Sequence, residues 1–104
     1  MGGARCWVAE RAGGVAGHAL LSRNFFDRDF LELLFVTEAS RRIGVGASLL
    51  AAGERVATGG RFFTSTKESN APMRALLKAQ GYAPSGRIEN LDPGDPELVF
   101  VKLQ

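Results

Sequence analysis

This 104-residue sequence has a single cysteine, no long apolar run and only a small net charge. The single cysteine, Cys6, excludes an internal disulfide and fits a reducing compartment. No apolar run approaches the roughly 20 residues needed to cross a bilayer, and the N-terminal residues lack the apolar centre of a signal peptide. A net charge of +2 is too small to indicate nucleic-acid binding by itself. We therefore expect a cytoplasmic domain that binds neither membrane nor nucleic acid.

The composition is that of an ordinary globular domain, with 45% hydrophobic and 23% charged residues. A chain of this length can bury one modest core, so we expect residues 1–104 to form a single domain with Cys6 as a small core residue. Charge is uneven along the chain: basic residues prevail between positions 41 and 87, and the only charged residues of segment 88–101 are acids. This distribution predicts an anion-binding middle and a cation-binding end, or else ordinary solvated surface charge.

Hydrophobic periodicity and turn residues predict a chain of alternating strands and helices. Residues 24–29 are predicted to form a loop, and the apolar run 30–36 a central strand. The other predicted strands flank Gly13 or cover 61–66, 85–91 and 97–103, and the predicted helices cover 45–58 and 70–80. The order β-β-β-α-β-α-β-β contains a strand–helix–strand crossover, which requires one parallel pair in an otherwise mostly antiparallel α+β sheet.

The stretch SRRIGVGASLL, residues 40–50, has the parts of a phosphate-binding turn. It joins a predicted strand to a predicted helix, whose first N–H groups and dipole attract anions. Gly44 and Gly46 leave room for a ligand, and Arg41 and Arg42 add positive charge. The alternative is a tight turn without a ligand. A Walker loop needs Lys-Ser or Lys-Thr after the second glycine, and a dinucleotide fingerprint needs a third glycine where Leu49 stands, so neither matches.

Arg41-x-x-Gly44-x-Gly46 instead resembles the Arg/Gln-x-x-Gly-x-Gly/Ala signature of the GNAT family of N-acetyltransferases. The stretch LFVTEASRRIGVGASLL is similar to the fourth strand and third helix of that family. TSTKESNAPMRALLKAQGY resembles the later segment from the fifth strand through an asparagine and a helix to Gly-Phe or Gly-Tyr, and the ending SGRIENLDPGDPELVFVKL resembles a bacterial branch with small-molecule acceptors. The resemblance begins near Trp7 and implies the GNAT fold.

The resemblance implies acetyl-CoA as cosubstrate and no metal. The turn would hold the pyrophosphate through backbone N–H groups, with Ser48 adding a hydroxyl. The pantothenate arm would pair like an extra strand near Phe35 and Val36, and Asn70 would contact the cofactor, cap its helix, or do both. The implied cofactor-binding residues are Phe35, Val36, Arg41, Arg42, Ile43, Gly44, Val45, Gly46, Ala47, Ser48 and Asn70.

The family reaction is attack of a deprotonated amine on the acetyl thioester, which needs a proton acceptor. Glu32 is our candidate, although an acid at a strand rim can also serve an ion pair. Many relatives carry a tyrosine as the acid for the thiolate where this chain has Leu77, and we expect Tyr82 to be a core residue. The last hairpin borders the acceptor site in such enzymes, so Asp92, Asp95 and Glu97 are candidates for holding a cationic small amine, unless they are solvated turn acids.

The resemblance also indicates a short member, because the first predicted hairpin begins close to Met1 where the family usually has a strand and two helices. Either the chain is a truncated form or a partner subunit covers the missing part. An uncovered sheet face and a bare edge strand favour self-association, so we expect a homodimer. We expect an N-acetyltransferase that acts on a small amine. The alternatives are a catalytically inactive CoA-binding or regulatory domain and a different nucleotide-binding protein that prefers NAD or ATP.

Overall fold

The computed structural model describes residues 5–11, 14–41, 44–57 and 59–104. Its strands are β1 (Arg5–Arg11), β2 (Gly14–Phe25), β3 (Arg28–Val36), β4 (Arg61–Lys67), β5 (Ala83–Ile88) and β6 (Glu97–Leu103). Its helices are α1 (Val45–Val56) and α2 (Ala71–Ala79), with one short 3-10 turn at Glu38–Ser40. Apart from that turn, the predicted order β-β-β-α-β-α-β-β is confirmed.

The strands form one mixed sheet in the order β1-β2-β3-β4-β6-β5. Strands β3 and β4 run parallel and α1 is the crossover between them, while the remaining pairs are antiparallel. The α+β class, the central place of β3 and the parallel pair are therefore confirmed. The parallel pairing is short: it begins at Asp29 with Phe62 and ends at Leu31 with Thr64. Beyond that point the two strands part.

The loop predicted over residues 24–29 is wrong. Strand β2 continues to Phe25 and β3 begins at Arg28, so a two-residue turn joins them. Phe26 and Asp27 both have positive φ, 52° and 59°, as in the turns that match the twist of a hairpin. A bulky aromatic residue rarely adopts this conformation, so Phe26 does not mark a two-residue turn in the sequence. The strand predicted over 85–91 is present but shifted, since it begins two residues earlier and ends three residues earlier, at Ala83–Ile88.

Both helices contribute to a core on one face of the sheet. Leu49 and Leu50 of α1 and Leu77 of α2 are buried against strand residues that include Phe62. The opposite face carries a row of aromatic contacts among Phe25, Phe30 and Phe63 on β2, β3 and β4, together with the partly exposed side chains of Leu33 and Phe35. We call this second face the open face.

The prediction for Cys6 is wrong as well, because its side chain is exposed on β1, at the edge of the sheet. Gly13 lies outside the described residues, but Arg11 pairs with Gly14, as the predicted hairpin requires. Neither described helix is long and apolar enough to cross a membrane.

Candidate functional site

A groove of about 550 Å³ opens where β3 and β4 part. One wall is the second half of β3, and the other combines β4, the start of β6 and the first turn of α2. The lining residues are Leu31, Glu32, Leu33, Leu34, Thr64, Ser65, Thr66, Lys67, Ser69, Asn70, Met73 and Glu97. The groove therefore carries two carboxylates, several hydroxyl groups and one ammonium group.

Glu32 lies in a β-bulge of β3. Leu20 of β2 pairs with Leu33 and Leu21 pairs with Leu31, so Glu32 is the extra residue between them. Its side chain is exposed on the groove wall and accepts a hydrogen bond from Asn24 Nδ2 at 3.3 Å. The bulge thus presents the predicted proton acceptor to the groove.

A side-chain hydrogen bond marks the point where β3 and β4 part. The buried Thr64 hydroxyl donates to the carbonyl oxygen of Leu31 at 3.1 Å, which satisfies that carbonyl where the ladder ends. Farther along, β3 pairs with β2 on one side, and no described residue of β4 pairs with its other side. Phe35 and Val36, the residues predicted to accept the pantothenate arm, belong to this edge. An extended segment can add to such an edge.

The N-terminus of α1 is open in the way the motif predicted. Gly44 stands before the first helical residue with φ +87°, and a Cβ at that position would meet nothing within 4 Å. Gly44 offers no side chain to cap the helix, and the first hydrogen bond of the helix runs from Ser48 N to Gly44 O at 3.0 Å. The N–H groups of the first turn therefore have no acceptor within the helix and remain suited to an anion.

Of the two arginines of the motif, Arg41 lies within the described residues. Arg41 donates from Nε to the carbonyl oxygen of Val36 at 3.2 Å, so it fixes the end of β3 to the turn while its side chain stays exposed. Arg42 and Ile43 lie outside the described residues, so their predicted contacts with pyrophosphate remain predictions. The open first turn fits the pyrophosphate of CoA, and the free edge of β3 fits its pantothenate arm.

Gly46 has a packing role that the motif did not predict. A Cβ on Gly46 would lie 3.0 Å from Leu76 Cδ2 of α2 and 3.7 Å from Val36 Cγ2 of β3. The glycine thus allows α2 and the end of β3 to approach the first turn of α1. The absence of a side chain at Gly46 therefore places the N-terminus of α1 close to the end of β3.

Asn70 is the N-cap of α2. Its side-chain oxygen accepts a hydrogen bond from Met73 N at 3.2 Å, and Pro72 follows within the first turn. Asn70 also lines the groove. The capping role is confirmed, and the predicted cofactor contact stays compatible with it.

The three predicted acceptor-binding acids have different partners. Asp92 forms an ion pair with Lys67 at 2.9 Å, and Asp95 accepts from the Ser69 hydroxyl at 2.6 Å. Of the three, only Glu97 lines the groove, where it accepts from the Ser65 hydroxyl at 2.7 Å. The acidic end and the basic middle of the chain therefore neutralise each other in part. The Asp92 carboxylate, by its hydrogen bond, raises the pKa of Lys67 above its ordinary value.

Tyr82, Leu77 and His18 do not line the groove. Tyr82 is buried and donates to Glu54 Oε2 at 2.7 Å, and burial raises the pKa of its hydroxyl well above the ordinary value. Leu77 is fully buried in the core, as expected of a leucine at the usual place of the catalytic tyrosine. His18 packs on the Phe35 ring, with 5.3 Å between ring centres.

Sequence reasoning missed Ser65, Lys67 and Ser69 as groove residues. The available signal was RFFTSTK, a strand with polar side chains on both faces at its second half. Polar side chains on both faces are not expected where a strand is covered by apolar packing on both sides. This pattern therefore predicts a solvent-accessible groove beside the second half of β4. In the described residues, no group of three His, Cys, Asp or Glu side chains is arranged to hold a metal ion.

Comparisons with known proteins agree with this geometry. The profile of the "Acetyltransferase (GNAT) family" matches residues 2–82. A GNAT-family acetyltransferase of Bacillus cereus ATCC 10987 is 37% identical, with a TM-score of 0.90 over 96% of this chain and 70% of that one. No curated protein matched.

Two more distant structures show the same fold. A nourseothricin acetyltransferase is 23% identical, with a TM-score of 0.83 over 96% of this chain and 65% of its own. A putative streptothricin acetyltransferase from Bacillus anthracis str. Ames, in complex with acetyl coenzyme A, is 17% identical, with a TM-score of 0.86 over 95% of this chain and 61% of its own. On the profile match and the Bacillus cereus relative, the chain belongs to the GNAT family of acetyl-CoA-dependent acetyltransferases.

Proposed function

We propose that this chain transfers the acetyl group of acetyl-CoA to a small amine or amino compound bound in the groove. The observation that carries the proposal is the continuity of two features. The edge of β3 that β4 leaves runs from the bulge at Glu32 toward Val36, whose carbonyl oxygen accepts from Arg41 Nε. Val36 in turn packs beside Gly46 in the open first turn of α1. One elongated ligand can therefore engage the helix N-terminus and reach the groove.

Bound acetyl-CoA supplies an acetyl group already activated as a thioester. In our proposal, N–H groups of residues 42–47 and the Ser48 hydroxyl hold its pyrophosphate, helped by Arg41 and the helix dipole. The free edge of β3 at Phe35 and Val36 orients the pantothenate arm. These residues bind and orient, which supplies the proximity component of catalysis.

The two groove carboxylates have different proposed roles. Glu32 stands exposed on the β3 wall, so it can accept a proton directly or through water from the incoming ammonium group. Glu97 stands on the opposite wall with its carboxylate fixed by Ser65, which suits it to hold a cationic part of the acceptor. Similar structures named for streptothricin and nourseothricin acetylation support a small-molecule acceptor.

A catalytically inactive CoA-binding domain is the second candidate. It is favoured by the absence of a tyrosine hydroxyl from the groove: Leu77 is buried, and Tyr82, the single tyrosine of the sequence, is bonded to Glu54. An active enzyme does not require that hydroxyl, because a thiolate is a good leaving group. It can depart unassisted or take a proton from water. Release of free CoA thiol therefore decides between the candidates.

The first experiment is calorimetric titration with acetyl-CoA, with NAD and ATP as controls. Saturable binding of acetyl-CoA alone supports the proposal, and no binding contradicts it. A thiol-release assay with a panel of small amines, diamines and an N-terminal peptide amine then identifies the acceptor class. Binding without thiol release from any acceptor favours the inactive domain.

Two variants separate the proposed roles of the carboxylates. Glu32→Gln should lower kcat about 100-fold with little change in acetyl-CoA affinity, because it removes a proton acceptor. Glu97→Gln should chiefly raise the acceptor KM, about tenfold, because it removes a charge that binds the acceptor. Glu10→Gln, an exposed acid on the edge strand β1, is the matched control. Unchanged kinetics in Glu32→Gln would remove that residue from the mechanism.

The predicted homodimer and cytoplasmic location remain proposals. The open face bears Leu33 and Phe35, which are 46% and 44% exposed, and β1 is an edge strand. Both features favour association of two copies. Light scattering after size-exclusion chromatography tests the dimer: a single monomer mass at working concentration would contradict it.

A further inference from the structure

The loop between β5 and β6 is bound to the junction between β4 and α2. Asp95 accepts two hydrogen bonds from Ser69, one from the backbone N–H at 3.0 Å and one from the hydroxyl at 2.6 Å. Beside them, the Glu68 N–H donates to the carbonyl oxygen of Pro96 at 2.9 Å. An ion pair of 2.9 Å joins Lys67 to Asp92 in the middle of the loop. We call these contacts the loop clamp.

The loop clamp acts on the residues that begin α2. Ser69 immediately precedes Asn70, whose side chain caps the helix at Met73 N, and Asn70 N donates to Lys67 O at 2.9 Å. Lys67, Ser69, Asn70 and Met73 all line the groove. Because both the backbone and the side chain of Ser69 are bonded to one carboxylate, Asp95 ties the start of this groove wall to the loop before β6.

The backbone of Asp95 is itself held in place. The loop turns back at Asp92, where Asp95 N donates to Asp92 O at 3.2 Å, and Pro96 leads directly into β6 at Glu97. Strand β6 pairs with β4 along its length, from Arg61 with Leu103 to Lys67 with Glu97. The clamp therefore connects the N-terminus of α2 to a strand of the central sheet through a short, closed turn.

We propose that Asp95 is a positioning residue, which holds the α2 side of the groove in the geometry that binds acetyl-CoA, and that it does not bind the acceptor. This inference rests on the proposed function, since it concerns the same groove. It replaces the role that the sequence suggested for Asp95, because both carboxylate oxygens already have partners on Ser69 and Asp95 is not among the groove-lining residues.

The test compares Asp95→Ala with Asp95→Asn. Alanine removes both hydrogen bonds, whereas the asparagine amide can still accept from Ser69 N–H and donate to the Ser69 hydroxyl. A positioning role predicts about fivefold weaker acetyl-CoA binding for Asp95→Ala and near-normal binding for Asp95→Asn. A charge that binds the acceptor predicts the opposite pattern: both variants raise the acceptor KM equally and leave acetyl-CoA binding unchanged. That pattern would overturn the proposal.

Ser69→Ala and the double variant Asp95→Ala, Ser69→Ala show whether Asp95 affects acetyl-CoA binding through its hydrogen bonds with Ser69. The loss in Asp95→Ala, Ser69→Ala should be smaller than the sum of the two single losses, because the single variants remove a shared interaction. Additive losses would argue against the pair as the route. Glu89→Gln is the matched control on the same loop, since Glu89 bonds Arg87 at 2.8 Å and does not line the groove.

Amide hydrogen exchange of the protein without ligand keeps this inference separate from the proposed function. Exchange at Ser69 and at Met73, whose N–H groups are bonded to Asp95 and Asn70, should accelerate in Asp95→Ala and not in Asp95→Asn or Glu89→Gln. Unchanged protection in Asp95→Ala would overturn the loop clamp even if the enzyme is active. Failure of the wild-type protein to bind acetyl-CoA would instead contradict the proposed function.

Discussion

Gly46 of α1 faces Leu76 of α2 so closely that a Cβ on the glycine would lie 3.0 Å from Leu76 Cδ2. This contact brings the two helices of the sheet face together beside the end of β3. Gly46→Ala should lower the free energy of unfolding by about 1 kcal/mol, because overpacking outweighs the gain in helix propensity. In a Leu76→Ala background, Gly46→Ala should cause little further loss of stability, because the side chain that it would meet is gone. A stabilised Gly46→Ala variant in urea unfolding would show that the leucine moves without cost.

Gly44 differs from Gly46 because its constraint is in its backbone. At φ +87° a Cβ is strained although nothing lies near it. Gly44→Ala should cost about 1–2 kcal/mol of stability, and Gly44→Asn less, because asparagine tolerates the left-handed region. Thermal and urea unfolding of the two variants measure the difference. Equal stability of Gly44→Ala and the wild-type protein would mean that the turn adopts another conformation.

Asp29 is a buried carboxylate that holds β3 to the loop after α1. It is 4% exposed, accepts from Gly59 N at 3.0 Å, and forms an ion pair with Arg23 at 3.3 Å. Asp29→Ala should destabilise by about 2–3 kcal/mol, because it leaves the Gly59 N–H without its acceptor. Arg23→Ala should cost less, about 1 kcal/mol or below, because a half-exposed arginine contributes little through its charge. Reversal of this order in urea unfolding would contradict the assignment.

Tyr82 should resist ionisation as long as the chain is folded. Burial and the Glu54 carboxylate raise the pKa of its hydroxyl, whereas in the unfolded chain it returns to about 10. The stability linked to this group is therefore present below pH 10 and falls as the pH rises above that value. Because the sequence has one tyrosine, alkaline absorbance titration reports Tyr82 alone, and Tyr82→Phe is the blank. A reversible titration at the ordinary value in folded protein would refute this prediction.

The loop clamp should weaken in acid. The Ser69 hydroxyl lowers the pKa of Asp95 below its ordinary value of 3.8, so the clamp's contribution is present above that pH and is lost as the pH falls through the lower, folded value. The charges of Lys67, Asp92 and Glu97 also face this region. The stability difference between wild type and Asp95→Ala, which removes both hydrogen bonds, should therefore be largest above pH 4 and shrink below it. A difference that is constant with pH would contradict the assignment.

Local signals in the sequence determined most of the element order. Helix α2 shows this best: Asn70, Pro72 and Gly81 mark its start and its end, and the structure places a helix at Ala71–Ala79 between them. The turn before α1 was equally readable, because Gly44 is needed where φ is positive. By contrast, the two-residue turn at Phe26 was unreadable, since nothing local favours a positive φ at phenylalanine.

The composition of the groove was decided by tertiary structure. Glu32, Asn70 and Glu97 were predicted from the sequence as site residues, and all three line one groove in the structure. The sequence also nominated Asp92 and Asp95, which are only a few residues from Glu97 but lie in a loop that folds onto Lys67 and Ser69. Sequence proximity does not specify which acid of a short segment faces a groove, because that choice depends on partners far along the chain.

What the sequence determined by itself was the family, the order of elements and the open helix start, because each depends on neighbouring residues. Only the tertiary structure decided where β3 and β4 part, which residue forms the bulge, and which side chains form hydrogen bonds with distant segments. These features arise where segments distant in sequence meet, as at Thr64 with Leu31 and Ser69 with Asp95. Their geometry follows from pairing across the sheet rather than from local propensity.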